Sequence, residues 1–574
     1  MKKIIFFSFV CLFTLFLVSC QKELRIAELQ QNFDNQYLGY AKYQLTSAIV
    51  NTAIPYGKGV TLEELGQSDW YFVSCYAADN MPTFYLSRTQ YWSANDGSNP
   101  YTGVFRTCIA METLAKSEGN NSYIALSYIL KCVNLAYLTE KYGDVPFSKA
   151  VLGRAGDVFP TYDSQKSIYT QMFAMLDNAV NILNNPSSSA IDATQDVLYK
   201  GVKAQWIKFA NSLKFRLIMH SYKAFKTAGT DYADTLQAIV AGGNFMQTNA
   251  DNASLPFVGT YSGDTWYLST VSYNNSNNFT SYKPTNAIVG KSRALNDPRL
   301  FVWCAPAAYP LTAAATASTQ TVMINGFNNT VNYSPVGSSP LTTTGADENG
   351  NLYTFTYPLD TMWVGPVNVQ EINSQFGYKT TVYDNGRLCA LSQLFQKPKD
   401  SRLSAVLMES SEMQFLLAEA RSRNLITVGT ASSYYNAGIE LSFTRWGITN
   451  SGTGALTTNF DGTSSISTDF GAYESQANVA LANDGSANDL KLIAFQKWLS
   501  NFLTNYSEEF TEIRRSGNPA FAFSIAPAFT TGESYPYRYL YPQDELSNNS
   551  TNYNSSLTDL GGNDAGGAKM WIFQ

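Results

Sequence analysis

The stretch that decides the fold runs from Asn121 to Phe147, NSYIALSYILKCVNLAYLTEKYGDVPF. Leu126, Ile129, Leu130, Val133, Ala136 and Tyr137 recur three and four residues apart, the spacing that lines one face of an α-helix. The run then meets Gly143, which can take a positive φ at a helix end, and Pro146, which bars continuation. The spacing predicts a long amphipathic helix over 121–141, closed by a turn.

Working outward, the same pattern repeats. Residues 103–117 are helix-like, and Gly119-Asn120-Asn121 makes a turn into the next helix. Segment 164–184 places Ile168, Met172, Met175, Leu176, Ala179 and Leu183 on one face, and Asn184-Asn185-Pro186 stops it. Segment 196–224 does so with Val202, Trp206, Phe209, Leu213 and Leu217. Helices return at 405–424, where Ser410 with Glu412 suits a start and Met413, Leu416, Leu417 and Ala420 form the stripe. A shorter helix follows at 431–444, and a long one at 487–515 carries Leu492, Phe495, Leu499, Phe502, Tyr506, Phe510 and Ile513 up to Gly517 and Pro519. Helical hairpins in series predict a mainly α fold resembling a tetratricopeptide array, although no clean repeat of roughly 34 residues is visible. Between the two helical halves, about 245–400 is rich in Asn, Ser, Thr, Gly, Tyr and Pro. It reads as a long, loop-rich insertion with a few short strands.

The N-terminus carries a different signal. Lys2 and Lys3 precede an apolar run, IIFFSFVCLFTLFLV at 4–18, and then Leu17-Val18-Ser19-Cys20. That order is a secretory signal, too short to span a bilayer comfortably. LVSC also looks like a bacterial lipobox, so residues 1–19 are expected to be removed and Cys20 lipidated, with 20–574 forming one domain. Of the acids that could mark the leaflet, Gln21-Lys22-Glu23 offers one, a slight cue for display at the cell surface.

Composition narrows the partners. Charged residues make up 15% of the chain, the net charge is −6, and no Lys/Arg run stands out. Nucleic acid is therefore not an expected partner. The chain has 37 Tyr, 34 Phe and 9 Trp, enough to fill a core and leave flat faces that suit sugars or peptides. Beyond Cys11 and Cys20 there are Cys75, Cys108, Cys132, Cys304 and Cys389. Their number is odd and they show no CxxC pair, so buried free thiols are expected; whether Cys108 and Cys132 pair stays open.

Several strings behind the lipobox resemble the SusD/RagB-like family of outer-membrane nutrient-binding lipoproteins. They are Tyr142-Gly143-Asp144-Val145-Pro146, the helix from Glu412 to Ala420 (EMQFLLAEA), Tyr435-Asn436-Ala437-Gly438-Ile439, and Gln496-Lys497-Trp498 with Arg514-Arg515-Ser516-Gly517-Asn518-Pro519. The closing Arg538-Tyr539-Leu540-Tyr541-Pro542, with Glu545 and Asn549, fits too, and Lys569-Met570-Trp571-Ile572-Phe573 is similar to a divergent subgroup. The resemblance implies a helix-hairpin scaffold anchored in the outer membrane. It also implies a SusC-like TonB-dependent transporter as partner, and capture of a glycan, or of an oligopeptide, for delivery to it. On physical grounds these motifs read as scaffold: Glu419 and Arg421 as ion-pair formers between hairpins, and Arg514 and Arg515 as partners of helix-end carbonyls or carboxylates.

Catalytic chemistry is poorly provided for. The single histidine, His220, continues an apolar stripe and reads as a core residue, and no GxSxG, phosphate loop or dinucleotide fingerprint is present. Paired carboxylates remain the route to the alternative, a surface-anchored glycoside hydrolase or peptidase. Asp461 and Asp347-Glu348, however, read as turn residues. A third alternative is a protein that grips only a protein partner. No cofactor is expected; Asn95-Asp96-Gly97-Ser98-Asn99 is the calcium candidate but lacks the full EF-hand ligand series. Three loop clusters pair an aromatic with polar groups and are the candidate ligand contacts. They are Tyr91-Trp92, Asp264 with Trp266-Tyr267, and Trp363.

Overall fold

The computed structural model describes residues 39–57, 71–74, 88–92, 99–153, 156–260, 266, 282–324, 327–336, 342–346, 352–356, 359–365, 386–450, 455–456, 466–520 and 536–574. The signal segment with Cys20, Cys75, the 95–98 loop, Asp264, Tyr267, Asp347-Glu348 and Asp461 lie outside them.

The first helical half contains α1 (Lys42–Gly57), α2 (Arg106–Glu118), α3 (Asn121–Tyr142), α4 (Gln165–Asn184), α5 (Lys203–Thr227) and α6 (Ala233–Gly242). Helix α3 is buried on nearly every side because α1, α2, α4 and α5 all pack on it. The α2–α3 turn rests on Gly119, whose φ of 67° lets its N–H close back on Ala115. At the end of α3, Gly143 sits at φ 89° with Met570 against it, and a Cβ there would lie 3.4 Å from the Met570 side chain. Helix α5 begins later than the apolar stripe suggests. Buried Asp196 accepts the N–H groups of Leu198, Tyr199 and Gly201 and the indole N–H of Trp206, winding 196–202 into turns instead of helix.

The chain then runs through the insertion, which includes α7 (Asn286–Ala294), into α8 (Ser410–Ser422), α9 (Ala431–Arg445), α10 (Ala487–Ser500) and α11 (Tyr506–Ser516). Helices α8 and α9 form a hairpin, and α10 packs on α8. The single helix expected over 487–515 is two. Leu503 takes a φ of 64°, and the Asn505 side chain caps a new N-terminus by accepting the Glu508 N–H, with Glu508 and Glu509 in the first turn where the dipole favours them. Residues 404–408, expected to begin the helix at 405, are instead a strand, and α8 starts after Glu409.

The insertion is built from short strands. β1 (Phe72–Ser74) and β2 (Ala253–Pro256) precede β3 (Tyr282–Pro284), β4 (Cys304–Ala305), β5 (Leu311–Thr312), β6 (Ser318–Ile324), β7 (Phe327–Pro335), β8 (Thr342–Ala346) and β9 (Leu352–Thr356). β10 (Ala390–Leu391) and β11 (Ser404–Met408) follow. β6 and β7 form an antiparallel hairpin, Ser318 opposite Tyr333 and Ile324 opposite Phe327, with β5 parallel on the other edge of β7. β8 pairs with β9, β1 with β3, β4 with β10, and β2 with β11, which ties the insertion to the start of α8. Among the described residues no helix is long and apolar enough to cross a membrane. Cys108, Cys132, Cys304 and Cys389 are buried free thiols, so Cys108 and Cys132 do not pair; burial pushes the Cys108 thiol up to about 12.

Candidate functional site

Two polar concentrations stand out, and they differ in kind. The first is a buried ionic hub where the two helical halves meet. Arg216 of α5 forks onto Glu412 of α8 at 2.5 and 2.6 Å and reaches Glu508 at 3.2 Å. Lys497 of α10 contacts Glu508 at 2.5 Å and Glu512 at 3.0 Å. His220 contacts Glu140 of α3 at 2.8 Å and Glu508 at 3.2 Å, and Glu140 also accepts from Tyr169. Burial would lower the His220 pKa, but Glu508 and Glu140 outweigh it and carry it up to about 10, so the imidazole is charged. Burial likewise opposes ionisation of Glu508 and Glu512. Lys497 holds Glu508 well below the usual carboxylate range, and Arg515 with Lys497 does the same for Glu512. Glu509, which lies beside the hub without a cation in contact, is pushed up by burial to about 8.

His220, Glu508 and Glu512 lie close enough together to resemble a metal triad. Lys497 and Arg216 already occupy the carboxylate oxygens, so a divalent ion would meet a cation at contact distance. The hub is scaffold. The family-like strings feed it: Arg515 bonds Glu419 at 2.6 Å and Glu512 at 2.6 Å, while Arg514 donates to the carbonyls of Phe510, Glu140 and Tyr537. Glu419 therefore makes the expected pair between hairpins. Arg421 does not; it donates to the Gly429 carbonyl in its own turn.

The second concentration is at the surface. Residues 88–92 run beside the C-terminal segment: the Gln543 N–H donates to the Thr89 carbonyl at 2.8 Å and the Asp544 N–H to the Gln90 carbonyl at 3.1 Å. Trp92 turns inward onto a bed of Tyr101, Tyr142, Tyr162 and Tyr541, with ring centroids 5.0–6.0 Å away. Its indole N–H donates to Glu545 at 2.8 Å, and the Tyr162 hydroxyl donates to the other Glu545 oxygen at 2.7 Å. Asn549 bridges Glu545 and the Pro160 carbonyl, and Asn552 donates to the Phe159 carbonyl, drawing loop 157–162 onto the same face. Above this bed, Tyr91 is 60% exposed, Phe159 57% and Val158 62%. Large apolar side chains left this bare are often interaction sites. Gln90 donates to Asp544 and Asn552 donates to the Phe159 carbonyl, so amides and a carboxylate lie on the segments that carry them.

The indoles of the three candidate loop clusters point inward. Trp92 is 7% exposed, Trp266 5% and Trp363 2%. Trp266 packs against Phe257 and Phe395, and Trp363 meets Phe301 edge-on at 5.3 Å. In loops this rich in small polar residues an indole is the largest apolar group within reach, so it is drawn inward as the local core. Tyr91 alone of the described candidates presents its ring to solvent. Phe159, Val158 and the amides of 543–552 escaped the sequence reading. The signals were a Val-Phe pair before Pro160 in a polar loop and the Asn-rich run from 548 to 554.

With that geometry in place, kinship is plain. The SusD-like family model described as starch-binding and associating with the outer membrane matches residues 71–542. The chain belongs to that family. The fold is shared with a SusD homolog from Bacteroides fragilis, 18% identical, covering 92% of this chain and 100% of that one at a TM-score of 0.69. A chitin-binding SusD homolog from Flavobacterium johnsoniae is 20% identical over 93% of this chain and 98% of its own, at a TM-score of 0.62. No curated protein matches the sequence.

Proposed function

We propose that this protein is a lipid-anchored capture protein of the outer membrane. It holds a glycan on the Tyr91–Phe159 face and delivers it to a SusC-like TonB-dependent transporter. The observation that carries the reading is that face itself. Exposed aromatic rings lie among amide and carboxylate side chains, above an aromatic bed that fixes the backbone beneath them. A sugar ring offers C–H faces to the rings and hydroxyls to Gln90, Asp544 and Asn552. Tyr91 is the principal contact, with Trp92 seating it; Asp264, Trp266, Tyr267 and Trp363 are the further candidate contacts. Cys20, after removal of 1–19, carries the lipid, and 20–574 acts as one unit displayed at the cell surface. Binding rather than turnover is favoured because His220, Glu508 and Glu512 are buried and committed to ion pairs of the scaffold hub.

The test uses the mature chain bearing Cys20→Ala, screened by affinity electrophoresis and calorimetry against chitin oligosaccharides, starch, other glycans and peptide mixtures, with each ligand checked for degradation. Saturable glycan binding without cleavage, weakened by Tyr91→Ala, is the expected result. Cleavage would overturn the binding-only reading in favour of a surface hydrolase. Binding of peptides alone would replace the glycan by an oligopeptide. Co-purification of the lipidated chain with a TonB-dependent transporter tests delivery.

A further inference from the structure

Apart from that face, the ends of three helices enclose a cleft of about 700 Å³. Helices α5, α8 and α11 finish there, at Thr227, Ser422 and Ser516. The volume falls in the range of small-molecule sites, roughly 300–1,000 Å³. None of the residues of the Tyr91–Phe159 face lines it. One wall is apolar, from Met219, Leu425, Leu490, Ile572 and Phe573. The charged side chains on its lining are all basic: His220, Lys223, Lys226, Arg423 and Arg515.

Much of that charge is already engaged. Lys226 is paired with Asp231, Arg515 with Glu419 and Glu512, and His220 with the hub carboxylates. Two sets of donors remain. Lys223 is exposed and makes no ion pair among the described residues. Arg423 uses Nε on Glu419 at 2.7 Å, and its two terminal nitrogens have no hydrogen-bond partner among the described residues. A guanidinium edge and an ammonium facing one cleft suit a carboxylate.

Three helix C-termini converge here as well, each with a partial negative charge of about half an electron. They work against a bare anion. They suit hydroxyl groups, which donate to carbonyl oxygens. The ligand that satisfies both sets of groups carries one acid and several hydroxyls, and has an apolar ring face for the aliphatic wall.

We propose that this cleft is a second ligand site, for an acidic saccharide whose carboxylate lies between Lys223 and Arg423 and whose hydroxyls donate to the helix-end carbonyls. The proposal rests on the glycan-capture reading for its choice of ligand class, but its site and its residues are separate. The mature Cys20→Ala chain is titrated calorimetrically with trigalacturonate and with the methyl ester of the same sugar. The acid is expected to bind with a Kd below about 1 mM, and the ester at least roughly tenfold more weakly. Lys223→Gln and Arg423→Gln each reduce acid binding at least about fivefold, and Lys223→Arg restores most of it. Lys223 is exposed and unpaired, so its variant keeps the fold even if Arg423→Gln loosens α8. Equal affinity for acid and ester, no binding of the acid, or unchanged binding by Lys223→Gln would overturn the site. Competition by inorganic sulfate as effective as by the sugar would overturn the saccharide. Failure of neutral glycans to bind, with these results intact, would instead strike only the reading of the Tyr91–Phe159 face.

Discussion

The hub around His220 and the face around Tyr91 are both dense in functional groups, yet they are put together in opposite ways. In the hub, Arg216, Lys497 and His220 meet Glu140, Glu412, Glu508 and Glu512 at 2.5–3.2 Å, and little is left to meet a ligand. At the face, the polar groups fix loops and the largest rings above them stay bare. The difference teaches where to look for function in such a scaffold. The family-like strings supply the hub, so they report kinship and stability, while ligand contact falls to short loops that those strings merely hold in place.

The largest effect should come from breaking the hub. Arg216→Ala strips Glu412 of its fork and leaves buried Glu508 with one cation fewer. Leaving a buried charge uncompensated costs about 3–5 kcal/mol. Urea unfolding followed by circular dichroism should show that loss as a lower midpoint, with glycan affinity of the folded fraction unchanged. A small loss would mean that water or rearrangement satisfies the carboxylates, and that the hub is less closed than its distances indicate.

A subtler probe of the hub is pH. Folding raises the His220 pKa from its ordinary value of 6.5 to about 10, because Glu508 and Glu140 outweigh burial. The folded state therefore holds that proton more tightly. The stabilisation is whole below about pH 6.5 and is lost as pH rises through about 10. Glu509, raised to about 8, contributes a loss of the same sign but has largely finished by then. Lys497 and Arg216, the other charges facing the imidazole, stay protonated throughout, and Glu512 stays ionised. Between about pH 8 and 10 the wild type should lose stability steadily, and His220→Gln should flatten that slope. Parallel slopes in the two proteins would show that the imidazole is not charged in the fold.

Much of the helical scaffold was legible in the sequence, and little of the face was. Apolar residues at helical spacing placed α3 and α4 closely, because a buried stripe constrains many positions at once. The failures on the scaffold were local. Asp196 delayed α5 through four hydrogen bonds from residues up to ten positions on, and Asn505 split one apolar stripe into two helices by capping. The face failed for a different reason. A polar loop does not encode in its own residues whether an indole points in or out; that is decided by partners such as Glu545, more than 450 positions from Trp92. The aromatics were correctly read as abundant, but their direction depends on long-range contacts that no periodicity reports.

Trp92→Phe joins the two regions at a smaller scale. The ring stays on its tyrosine bed, but Glu545 loses one donor. A hydrogen bond to a charged group is worth about 1.5–3 kcal/mol, so stability should fall by that order. Glycan affinity should fall with it, because residues 88–92 lose one of their ties to the 543–552 segment that carries Asp544 and Asn552. Lost stability with full affinity would detach Trp92 from ligand binding and confine it to the core.

The smallest effect on stability belongs to the most exposed ring. Tyr91→Ala removes a side chain that is 60% exposed, so the unfolding midpoint should move by no more than about 0.5 kcal/mol in equivalent stability. Its effect on binding should be the reverse. A ring at the centre of a contact typically costs more than about 1 kcal/mol when truncated, or roughly fivefold and upward in Kd. Isothermal titration against whichever glycan the screen returns measures this directly, with Phe159→Ala as the companion and Arg216→Ala as the scaffold control. If Tyr91→Ala and Phe159→Ala bind as tightly as wild type while staying folded, the bare rings are not the capture surface, and the loop carrying Asp264 and Tyr267 takes their place as the region to test.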